Sequence, residues 1–173
     1  MFNFENLNED TRPYVLKAIE NAENTNNIYC SARFTERGKE EYLPLLKEAA
    51  KDHNEHWLAY SLESPGIMKE HEGASTRSGG YTIKHVPHTA AQTFSEGQFN
   101  RFYILGLCLY ARNIGVDSLQ VYRAKESMSH RAESDSIIGN QILIEDIESQ
   151  LLETRSSFSS ELVKPNSGIS VKL

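Results

Sequence analysis

Three groups of charged and polar residues come closest to a chemistry. Glu96, Asn100 and Arg101 open a long apolar run. Arg123, Lys125 and Glu126 close the alternating segment that follows it. His130, Arg131 and Glu133 come shortly after. Two or three arginine forks beside a carboxylate could hold an anion through bidentate hydrogen bonds or serve as an acid/base pair. The same residues also suit an ion-pair network that pins the loop from 124 to 136. The sequence favours that network, with Glu96, Asn100 and Glu133 as members. Tyr122 and Arg123 beside Lys125 could stack a base and hold phosphate, and Lys69, Arg77 and Lys84 would extend such a path. The contact set for an anion or nucleic acid is therefore Arg101, Tyr122, Arg123, Lys125 and Arg131.

Other chemistries find less. His53-Asn-Glu-His56 and His85-Val-Pro-His88 are H-x-x-H pairs, a spacing that zinc uses on a helix face. His85 falls on a strand pattern and Pro87 separates it from His88, so that pair diverges. Solvated or capping histidines are expected, with no metal and no cofactor. No nucleophile elbow and no phosphate-binding loop is present. Cys108 lies in an apolar run without an activating cation. A restriction-type nuclease would need E-x-K on the strand, where Val121-Tyr-Arg-Ala-Lys125 has no glutamate. No catalytic residue is assigned.

The net charge of -6 over 173 residues removes a global electrostatic case for nucleic-acid binding. Apolar residues make up 39% of the chain and mean hydropathy is -0.52, low enough that part of the chain is expected outside the core. No secretory pattern opens the sequence and no apolar run reaches membrane-spanning length. The expectation is a cytoplasmic chain in a reducing environment, without a disulfide between Cys30 and Cys108.

The elements that must position these residues follow from periodicity and punctuation. Residues 1–10 read as a polar lead-in or arm. Asp10 and Thr11 cap a helix with Tyr14, Val15, Ala18, Ile19 and Ala22 inward and Pro13 in its first turn. Residues 28–34 suggest a short extended segment, and Thr35, Arg37 and Gly38 a turn. A helix over 40–51 follows, with Pro44 tolerable only near its start. Asn54 caps a third, short helix. Residues 67–80, rich in Gly and Ser, are expected to form a mobile loop. Residues 81–86 alternate as a strand. Thr89 and Gln92 suggest a capping box, and Gly97 a break before the long helix 98–113. Gly115 is its left-handed stop. Strand 118–123 follows, then strand character over 137–143, a helix over 144–152, and a closing strand at 169–173. The expected fold is α+β, a helix-rich single domain with a small mixed or antiparallel sheet. Residues 11–155 make the globular part and 156–173 a tail or arm.

The run F-N-R-F-Y-I-L-G-L-C-L-Y-A at 99–111, with V-Y-R-A-K at 121–125, R-A-E-S at 131–134 and the closing P-N-S-G-I-S-V-K-L, resembles a family of small phage- and prophage-encoded proteins with no assigned activity. The resemblance spans most of the chain and transfers no catalytic residues. It implies a phage-type gene product and a virion component. Together with the absence of a catalytic motif, this leads to the expectation of a non-enzymatic structural protein. It would oligomerise through its terminal arms with copies of itself and other virion proteins. An anion-binding protein or enzyme built on the Arg/Glu cluster, and a nucleic-acid binder, are the alternatives.

Overall fold

A helix of 24 residues organises the molecule. The computed structural model describes residues 1–76, 79–126, 132–152, 160–164 and 166–173. In chain order these form α1 (Arg12–Asn24), α2 (Glu36–Asp52), α3 (Glu55–Leu62), β1 (His71–Ser75), β2 (Tyr81–His85), α4 (Ala90–Asn113), β3 (Ser118–Arg123), α5 (Ala132–Ser136), β4 (Gln141–Leu143), α6 (Ile144–Leu152) and β5 (Ile169–Lys172). A short 3-10 turn, Glu161–Val163, precedes β5. The result is an α+β domain with one apolar core and two small antiparallel sheets.

α4 is buried on every side from Ser95 to Cys108. That is the pattern of a helix surrounded by other elements rather than lying on a surface. Gly97, expected to interrupt it, is an ordinary helical residue, because packing on all sides outweighs glycine's weak helix propensity of about 1 kcal/mol. The capping box also fails to form. The Thr89 side chain makes no cap bond, and Gln92 instead donates to Glu96 at 2.9 Å. α1 crosses α4 at Gly106, where an added Cβ would sit 2.6 Å from Val15 Cα. Gly115, with φ +77°, stops the helix as expected.

α2 begins at Glu36, earlier than expected. Thr35 Oγ1 accepts from Gly38 N at 3.0 Å as its N-cap. Gly38 is therefore helical and not part of a turn. It is small because Ile67 passes over it: a Cβ there would meet the Ile67 carbonyl oxygen at 2.2 Å. Pro44 lies inside α2. Pro44 and Glu40, the residue whose carbonyl loses its partner, are both exposed, so water can satisfy that carbonyl. Asn54 caps α3 as expected, accepting from the His56 and Trp57 amides.

β3 is the middle strand of the larger sheet, in the order β4-β3-β5. Val121 faces Val171 and Leu119 faces Ile142, and the side chains of all but Ile142 are fully buried. The strand expected over 137–143 shortens to β4. The segment 28–34 contributes only an isolated bridge, Phe34 to Met68. The second sheet is the β1–β2 hairpin. Part of the segment expected as a mobile loop, His71–Ser75, is thus the first strand of a hairpin. Its residues, His-Glu-Gly-Ala-Ser, have no apolar alternation, and their pairing comes from β2 across the turn. Arg77 and Ser78 lie outside the described residues. Among the described residues no helix is long and apolar enough to cross a membrane.

Both termini lie along their own domain. Asn3 N donates to the Ala124 carbonyl at 2.7 Å, and Phe4 packs on Tyr103 with ring centroids 4.6 Å apart. β5 pairs with β3 from Gln120↔Lys172 to Arg123↔Ile169. Residues 1–10, expected as a lead-in or arm, lie on the body, and the closing strand expected at 169–173 pairs within the chain's own sheet.

Candidate functional site

The charged residues singled out by sequence do gather at one end of α4 and β3, but they act on the chain's own groups. Asn100 is fully buried and uses its whole amide: Nδ2 donates to the carbonyls of Leu162 and Ile169, both at 3.0 Å, while Oδ1 accepts from Ser170 Oγ at 2.6 Å. Arg101, 1% exposed, donates to the Leu151 carbonyl at 2.8 Å and lies over the Phe102 ring at 5.6 Å. Leu151 is in the last turn of α6, where a cation complements the helix dipole. Glu96 pairs with Lys125.

Arg123 donates to the Ser167 carbonyl at 2.9 Å and pairs with Asp135. Tyr122 donates to the Asn3 carbonyl at 2.6 Å and accepts from Glu5 N at 3.1 Å; Lys172 Nζ sits 5.5 Å from its ring centroid. Glu133 is exposed on α5 and joins none of these contacts. His130 and Arg131 lie outside the described residues. Asn100, Arg101 and Arg123 thus hold the C-terminal third of the chain in place, and Tyr122 holds the N-terminus. Among the described residues, the acceptors they meet belong to the chain itself. The network expected for Glu96 and Asn100 exists in part, with carbonyls rather than carboxylates as the main acceptors.

His53 stacks on Trp57 at 4.4 Å, and His85 packs across the hairpin on His71 at 4.3 Å. No group of three or more His, Cys, Asp or Glu side chains gathers as a metal site would require among the described residues. Burial pushes the Cys108 thiol up to about 12, which keeps it protonated and unreactive.

Glu55 is a buried carboxyl that the sequence did not single out. It is 1% exposed and accepts from Phe2 N at 2.7 Å through Oε1, while Oε2 has no hydrogen-bond partner. Burial raises its pKa above the ordinary 4.5, with the Phe2 amide opposing and Glu96 adding to the rise. Below the ordinary value, folded and unfolded chains are both protonated and burial costs nothing. As pH rises past it, the unfolded chain ionises freely while the folded one resists, so stability falls until the folded group ionises. Glu55→Gln is therefore expected to raise the melting temperature by a few degrees near pH 8, with little change near pH 4, in thermal unfolding followed by circular dichroism.

Among the described strands, β2 of the β1–β2 hairpin is exposed at every residue. Its register is continuous from His71↔His85 to Ser75↔Tyr81. The bonds Val86 N to Glu70 O (2.9 Å) and Thr76 N to Gly80 O (2.8 Å) bracket the ladder. By alternation, Glu72–Lys84 and Ala74–Thr82 are then its hydrogen-bonded pairs. The amides and carbonyls of Tyr81, Ile83 and His85 point away from β1, along the outer edge of β2. The side chains of those three residues share one face with His71 and Gly73, and Tyr81 lies across the bare Gly73.

That face looks into solvent, with Tyr81 77% and Ile83 70% exposed. The opposite face is tied to the body. Glu72 takes Arg33 through two bonds, at 2.6 and 3.0 Å, and Lys84 at 3.3 Å. Among the described residues no bulge interrupts the register and Pro87 lies beyond the strand, so the outer edge of β2 is unbroken; its one lysine, Lys84, stands on the other face and shares Glu72 with Arg33. A signal existed in the Tyr81–His85 alternation, but a single strand pattern does not say which edge stays open. Compared with known proteins, the chain matches no family model, no curated protein and no solved structure.

Proposed function

We propose that this chain is a non-enzymatic structural protein that joins an assembly by adding a strand to the outer edge of its β1–β2 hairpin, in the phage-virion setting that the sequence resemblance implies. The observation that carries this reading is the unbroken outer edge of β2, with exposed Tyr81 and Ile83 beside it. Backbone groups on such an edge are a ready template for another strand, and alternate side chains supply selectivity. A two-stranded hairpin is only marginally stable alone, so a third strand would stabilise it.

The anion-binding and nucleic-acid readings have less support. Arg101, Tyr122 and Arg123 already serve internal carbonyls, and Lys125 already faces Glu96. The terminal arms suit assembly less well than the hairpin, since both termini lie on their own domain.

A photoreactive phenylalanine derivative in place of Tyr81, irradiated in the cells that make the chain, is expected to give covalent adducts of discrete mass. The same derivative in place of Tyr60, 74% exposed on α3, is expected to give none. No adduct from position 81, or equal labelling from both positions, overturns the reading.

A further inference from the structure

We infer that the strand added to β2 is β2 of a second copy, related by a two-fold axis that passes beside Ile83. This rests on the assembly reading above and names the occupant of that edge. In a symmetric antiparallel pair, residues that exchange hydrogen bonds must both point their backbone groups outward. Tyr81, Ile83 and His85 do so, and they are spaced evenly about Ile83. With Ile83 opposite the partner copy's Ile83, all three residues find a match, Tyr81 facing the partner copy's His85 and His85 facing its Tyr81. The next pair would set Gly79 against Pro87, which has no N–H, so the ladder ends where the strand does.

The side chains agree with this register. Ile83 meets its own copy at the centre of the solvent-facing side, with an aromatic–imidazole pair on each flank. The patch is its own complement, as a two-fold interface requires. On the other face Lys84 stands opposite the partner copy's neutral Thr82, and each Lys84 already has Glu72 at 3.3 Å. Neighbouring registers lose these features. An axis at Lys84 sets lysine against lysine, a repulsive pair. An axis at Thr82 sets His85 against Gly79 in the turn. The seam is short and buries less than the ~1,200 Å² of a standard stable interface, so the dimer is expected to be reversible and concentration-dependent.

Sedimentation of the full chain over rising concentration tests this directly. Dimer is expected at the upper end. Ile83→Lys and Ile83→Glu are each expected to remain monomeric, because like charges meet on the axis. Their equimolar mixture is expected to recover the dimer, because position 83 then faces its opposite. Ile83→Cys in a Cys30→Ser background is expected to form a disulfide dimer under mild oxidation, since hydrogen-bonded pairs place Cα atoms about 5.5 Å apart. The variants must match the parent in circular dichroism and melting temperature, which the exposure of Ile83 favours.

A chain that stays monomeric up to about 1 mM, a mixture that fails to recover the dimer, or no cross-link at position 83 overturns the two-fold pairing. Adducts from position 81 separate this inference from the reading beneath it. A mass of two chains supports both, a foreign mass removes the second copy while leaving strand addition, and no adduct removes both.

Discussion

Gly106→Ala is expected to destabilise the chain by about 2–3 kcal/mol, although glycine to alanine inside a helix ordinarily gains up to about 1 kcal/mol. The new Cβ would lie 2.6 Å from Val15 Cα and 2.7 Å from Val15 N. Those are backbone atoms and cannot rotate aside. α1 must instead slide off α4, at the closest approach of two helices whose buried residues, Val15, Ala18 and Ile19 on one and Phe102 to Cys108 on the other, lie in the same core. Thermal unfolding should show a loss of roughly 5–10 °C for a chain of this size. Shortening Val15 to alanine in the same molecule should not restore the loss, because its Cα and N stay where they are. A melting temperature equal to or above the parent's would mean that the helices separate at little cost.

Removing the Asn100 amide is expected to cost about 3 kcal/mol or more. Asn100→Ala leaves two buried carbonyls and the Ser170 hydroxyl without this partner, and each unsatisfied buried group costs about 1–3 kcal/mol. Asn100→Asp is the sharper test. It keeps the acceptor for Ser170 but turns a carboxylate oxygen toward the Leu162 and Ile169 carbonyls. The folded state then prefers the protonated acid and raises its pKa, so the penalty grows as pH rises above about 4 and eases below it. Hydrogen exchange should report the loss first at β5, where Val171 pairs with Val121. An Asn100→Asp protein as stable as the parent at neutral pH would show that the C-terminal segment does not depend on this clamp.

Much of the fold was legible because short-range rules sufficed. The stripe of Val15, Ala18, Ile19 and Ala22, the Asn54 cap, the Gly115 stop and the alternation of 118–123 all act within a turn or a strand, and each stands where expected. The errors came where a residue answers to something distant in sequence. Gly38 reads as a turn residue but is small for the Ile67 carbonyl. Gly97 reads as a break but sits in a helix packed on all sides. Residues 71–75 read as a loop because their strand pairing depends on β2. The candidate site shows the same division. Sequence brought Asn100, Arg101, Tyr122 and Arg123 forward as unusual polar residues beside an apolar run, and they are indeed structurally committed, but their acceptors lie up to 119 positions away.

By itself, then, the sequence determined the class of this protein, an α+β chain built on a long apolar helix and a following strand, because hydrophobic period and capping are local properties. Only the tertiary structure decided what the charged residues are for and which surface stays open. A guanidinium reads the same in sequence whether it meets a ligand or the carbonyl of Leu151. A strand reads the same whether its edge is covered or bare. Those outcomes depend on which distant backbone groups the folded chain brings within hydrogen-bond reach.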